Sequence, residues 1–115
     1  MNDELIQIIE DLKKSIYEDM GAETSPNEVE QYVSALLLCL GISGRAKDLP
    51  AVMESINIYA FIDMYDYVLS AWNDRHGMEA CRKIAEHSAE TVNGFSWKNK
   101  FTFQVLLLEN LLLLY

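Results

Sequence analysis

Residues 58–74 read IYAFIDMYDYVLSAWND, a stretch in which tyrosines and aspartates are interleaved with large apolar residues. No strict alternation of apolar and polar positions runs through it, so a half-buried strand does not fit. Wound as a helix, at about 100° per residue, it separates cleanly. Ile58, Phe61, Ile62, Tyr65, Val68, Leu69 and Trp72 collect on one side, which predicts a broad core face. Tyr59, Asp63, Asp66, Ser70 and Asp74 collect opposite, with Tyr67 and Asn73 at the margins. An ordinary solvated helix face mixes Glu and Lys, which favour helices and pair one turn apart. Here Asp, Tyr, Ser and Asn stand instead, with no base before Arg75. The pattern gives up helix propensity and accepts repulsion between like charges, and this points to a face made for contact.

The same period extends outward in both directions. A first helix over about residues 3–19 places Leu5, Ile9, Leu12 and Ile16 on one face and Glu4, Asp11 and Glu18, seven apart, on another. After the loop MGAETS, Ser25 and Glu28 form an S-x-x-E capping box with Pro26 at the first helical position. Val29, Tyr32, Val33, Leu36, Leu37 and Leu40 follow at helical spacing, and Gly41 and Gly44 end that helix. Asp48 is placed to cap a third helix entered through Leu49 and Pro50, with a bend at Asn57 before the stretch 58–74. NDRHG closes that segment at Gly77, and MEACRKIAEHSAETV forms the next helix, ended by Gly94. Ser96 is expected to cap a last helix in which Trp97, Phe101, Val105, Leu108, Leu112 and Tyr115 keep helical spacing. This helix is apolar on nearly every side, which predicts that it lies largely buried, ringed by the others. The expected fold is all-α: one compact single-domain bundle of five to six helices over residues 1–115.

The chain has 115 residues, half of them hydrophobic, with five Gly and two Pro, enough for one core and too few residues for two. Its net charge of −9 argues against binding nucleic acid through phosphates and against an anionic membrane surface. The charge is uneven: residues 1–30 carry a net −7, residues 31–74 a net −3 and residues 75–115 a net +1. That gradient suits electrostatic steering of a cationic protein, although solubility alone also accounts for acidity. The amino terminus opens with acids rather than a basic, then apolar, leader, which leads to a cytoplasmic expectation. Cys39 and Cys81 are expected as buried free thiols. The terminal run VLLLENLLLLY is broken by Glu109 and Asn110 and falls short of the roughly 20 apolar residues a spanning helix needs.

Chemistry is sparse. His76 sits in a turn and His87 follows Glu86 on a helix; adjacent helical residues diverge by about 100°, so they do not grip one ion together. Glu-x-x-His pairs, a nucleophile elbow and a phosphate-binding glycine loop are absent from the sequence, and DMYDYVLSAWND lacks the glycine and terminal glutamate of a calcium loop. No cofactor, no metal and no enzymatic activity are expected, and both histidines read as surface residues. In size, acidity and helical class the whole chain resembles bacterial toxin-immunity proteins, including those of contact-dependent growth inhibition systems. The resemblance brings no motif and no residue assignments. It implies a complex with a basic partner, a toxin domain such as a nuclease; the helical wheel, not the resemblance, puts forward Tyr59, Asp63, Asp66, Tyr67, Ser70 and Asp74 as the contact residues, extended by Glu4, Asp11 and Glu18. An adaptor, a helical subunit of a larger assembly or a phage-encoded inhibitor is the alternative.

Overall fold

A computed structural model describes residues 2–20 and 25–113. Six α-helices follow one another: α1 (Asn2–Met20), α2 (Pro26–Cys39), α3 (Leu49–Glu54), α4 (Ile58–His76), α5 (Met78–Asn93) and α6 (Lys100–Leu113), with a 3-10 turn at Ala46–Asp48 before α3. No strand occurs among the described residues. The radius of gyration, 13.5 Å, is what a single compact body of this length has, about 13 Å. The loop residues 21–24 and the side chains of Leu112 and Tyr115 lie outside the described residues.

The helix that decides the fold has the expected inner face. Ile58, Phe61, Ile62, Tyr65, Val68, Leu69 and Trp72 are all buried. The expected bend before it is a helix start, made by one side chain. Asn57 Oδ1 accepts from the backbone N–H groups of Tyr59 (2.9 Å) and Ala60 (3.2 Å), which satisfies two donors that no helical carbonyl can reach. Its own N–H donates to Tyr32 Oη on α2 at 3.1 Å, so the cap also fixes where α4 begins against α2.

Two glycines turn the chain. At the end of α2 the Ile42 N–H bonds Leu37 O (2.9 Å) and the Gly41 N–H bonds Leu38 O (3.2 Å), a Schellman arrangement that requires the left-handed φ of +75° at Gly41. Gly77, at φ +89°, is the single residue between α4 and α5. The two helices fold back on each other, and the Cys81 thiol donates to Leu69 O at 2.9 Å. Cys39 and Cys81 are both buried free thiols.

Three local expectations are corrected. The α2 helix starts at Pro26, but the Ser25 side chain makes no capping bond. Asp48 likewise does not cap α3; its carboxylate pairs with Arg45 at 3.0 Å within the preceding turn. The largest departure is α6. It begins at Lys100, so Ser96 does not cap it and Trp97 precedes it, and among its described side chains, those up to Asn110, it is buried on one face. Phe103 and Leu107 are the inward residues; Phe103 packs on Phe61 (ring centroids 5.5 Å apart) and on Trp97 (6.0 Å). Phe101, Val105 and Leu108 face out, at 78%, 40% and 55% exposure. The helix rests against α4 and α5 and is not ringed by the others. Because α6 is apolar all round, its periodicity has little contrast, and the aromatic cluster of Phe61, Trp97 and Phe103 sets its rotation.

Candidate functional site

The outer face of α4 is built as its wheel requires. Tyr59, Asp63, Asp66, Tyr67, Ser70 and Asp74 are all exposed and span roughly 100° of the helix circumference. Tyr59 is 64% and Tyr67 45% exposed, large values for aromatic rings in a chain with a well-filled core. Asp63 and Asp66 are one turn apart. Partial burial first, and then the Asp63 charge, push the Asp66 carboxyl above the usual aspartate range. Among the described residues no cation offsets these effects, and the ion pairs Lys13–Glu30, Arg45–Asp48 and Glu4–His76 lie elsewhere. The face therefore holds negative charge at some cost to the folded chain, with phenol rings beside it.

The α1 acids are exposed as expected, but they do not simply lengthen this face. Glu4 reaches the carboxyl-terminal end of α4, where its Oε2 lies 2.6 Å from His76 Nε2. That hydrogen bond, more than the charge of His76, holds the Glu4 carboxyl below the usual range. Asp11 accepts from Gln7 Nε2 at 2.9 Å along its own helix. Glu18 borders a shallow groove on α1 itself, among Glu10, Lys13, Lys14 and Tyr17, where acids and bases are mixed. The residues that form one coherent surface are those of α4.

Neither thiol is poised for nucleophilic work. Burial pushes the Cys39 thiol up to about 12, and burial likewise raises Cys81. Cys39, Tyr65 and Ser88 meet where α2, α4 and α5 come together. Ser88 is near enough to both to favour their ionised forms slightly, yet neither its Oγ nor Tyr65 Oη reaches a hydrogen-bond partner of proper geometry. No group of His, Cys, Asp and Glu among the described residues is arranged to hold a metal ion, and none of the helices described is long and apolar enough to cross a membrane.

One feature escaped the sequence reading. A cleft of about 820 Å³ opens where the start of α1, the end of α2, the end of α4 and one side of α5 converge. Leu5, Leu40, Ala80 and Ile84 supply apolar walls, and Trp72 stands behind them. His76, its ring tilted against that of Trp72 with centroids 4.2 Å apart, and His87 both line it, although they lie in different elements. A side chain at Gly41 would collide with His87, since a Cβ there would stand 2.3 Å from Nε2. The only signal in the sequence is the spacing of Glu79, Lys83 and His87, one turn apart each on α5, beside Ala80 and Ile84. Comparison with protein-family models, with curated proteins and with solved structures gives no match.

Proposed function

We propose that the chain is an immunity protein that binds and neutralises a cationic toxin domain, a nuclease being the class best suited, through the outer face of α4. The observation that carries this reading is the alignment of Asp63 and Asp66, unneutralised, between the exposed rings of Tyr59 and Tyr67. A nuclease cleft is basic because it holds phosphates, and carboxylates at helical spacing offer it charge of the same sign. Tyrosine anchors add contact area at a low entropic cost, and acids around them raise the rate of encounter. In this reading the protein performs no catalysis and needs no cofactor, and it acts where the toxin would act, in the cytoplasm.

Capture of partners from the native host, with mass spectrometry, tests the reading: a basic toxin domain should be recovered. The Asp63→Lys/Asp66→Lys variant should lose that partner while its far-UV circular dichroism stays unchanged. Recovery of the same partner by the double variant would remove this face from the interface. The exposed Phe101, Val105 and Leu108 of α6 favour a second reading, a helical subunit or adaptor whose apolar stripe is covered in a larger assembly. Under that reading the captured partners belong to one multisubunit complex and do not depend on Asp63 and Asp66.

A further inference from the structure

The cleft between α1, α2, α4 and α5 has no part in the proposed α4 contact. Its volume, about 820 Å³, falls within the range of small-molecule sites, roughly 300–1,000 Å³. Its polar groups are not evenly distributed. On one rim Glu4 and His76 satisfy each other at 2.6 Å, so that side presents a closed pair. On the other rim Lys83 and His87 stand one turn apart on α5, and among the described residues the Lys83 ammonium has no ion-pair partner. This rim belongs to the one part of the chain with net positive charge, residues 75–115. Glu79, one turn before Lys83, makes the far end of the same rim unfavourable to an anion. Between the rims lie the apolar side chains of Leu5, Leu40, Ala80 and Ile84.

We infer that this cleft is a binding site for a small amphipathic anion, an apolar body carrying a single carboxylate or similar head group. The head sits between Lys83 and His87, where a cation and a ring N–H can both donate to it. The body covers the apolar walls toward Trp72, and burying it supplies most of the affinity. An ammonium head in the same place would face Lys83 at close range and be repelled. Gly41 lets the His87 ring lie in place at the cleft, since a side chain there would displace it. An aliphatic body, as in a fatty acid, and an aromatic ring share this chemistry, and the probes below distinguish them.

Isothermal titration calorimetry on the full chain at neutral pH tests the site, with decanoate, 2-naphthoate, decanol and decylammonium as probes. At least one of the two carboxylates should bind saturably, and about tenfold more tightly than decanol or decylammonium; which carboxylate is tighter identifies the body. Lys83→Gln should weaken the carboxylate roughly fivefold or more and leave decanol unchanged, whereas Lys47→Gln, outside the cleft, should change neither. Ala80→Leu, which fills the floor, should abolish binding while the circular dichroism remains that of the parent. Absence of saturable carboxylate binding, equal binding of decylammonium, or indifference to Lys83→Gln would overturn the assignment. Each outcome is independent of any toxin, so failure here leaves the α4 reading standing, and the reverse holds too.

Discussion

Replacing Gly41 by Ala should destabilise the protein by about 2 kcal/mol, through two separable causes. The first is conformational: φ at Gly41 is +75°, and an L-residue in the left-handed region costs roughly 1–2 kcal/mol. The conformation cannot relax without breaking the Schellman bonds from Ile42 to Leu37 and from Gly41 to Leu38. The second is steric. The added Cβ would lie 2.3 Å from His87 Nε2 and 3.0 Å from Cδ2, so the ring must swing aside. Because the ring is the end of an exposed side chain, that movement costs about 0.5–1 kcal/mol. Together these lower the melting temperature by roughly 10 °C. Urea unfolding followed by far-UV circular dichroism, on Gly41→Ala, His87→Ala and the double variant, closes a cycle. His87→Ala alone should be nearly neutral, and in its background Gly41→Ala should still cost about 1–2 kcal/mol. A neutral Gly41→Ala, or a loss entirely erased by His87→Ala, would refute the conformational argument.

Other perturbations give distinct signs. Asp66 has a folded-state pKa above its ordinary 3.8, so its contribution to stability is full below the unfolded value and is lost as pH rises through the folded one. Asp66→Asn should therefore stabilise the free chain at neutral pH, by about 0.3 kcal/mol in view of its exposure, while weakening the partner; a destabilised variant would contradict this. Glu4 has the opposite sign. Its carboxyl lies below its ordinary 4.5, so the stability it contributes is present above that value and disappears as pH falls through the folded value. Thermal melts should separate Glu4→Gln from the parent above the ordinary glutamate range and bring the two together as acid protonates the carboxyl; separation that persists once it is protonated would rule the pair out as its source. Tyr65→Phe removes a buried hydroxyl without a hydrogen-bond partner and should be neutral or stabilising by up to about 1 kcal/mol in urea unfolding. A loss above about 2 kcal/mol would reveal a bond that Oη makes.

The residues of α4 show why part of the molecule was legible. A helix with one apolar and one polar side states its own rotation, and Ile58 to Trp72 are buried in the pattern that their spacing dictates. Asn57 was legible as a break, and only the structure shows it as a cap with Tyr32 behind it. Ser25 and Asp48 carried the right residue types for caps and do not use them: Ser25 has the extended backbone a cap needs, yet its side chain makes no capping bond, whereas Asp48 has a helical backbone and its carboxylate is taken by Arg45. In α6 Phe101, Val105 and Leu108, which keep helical spacing in the sequence, lie about 160° from the buried Phe103, since a helix apolar on nearly every side offers little contrast by which to choose one.

By itself the sequence determined the all-helical class, where the helices before α6 fall, and both faces of α4, since all of these follow from periodicity and turn chemistry within a single stretch. The tertiary structure decided which side of α6 meets the core, that Glu4 pairs with His76, and that Lys83 and His87 share a cleft with residues from the other end of the chain. Those are contacts between elements far apart in sequence, set by how apolar faces pack against one another, and no local pattern of residues encodes them.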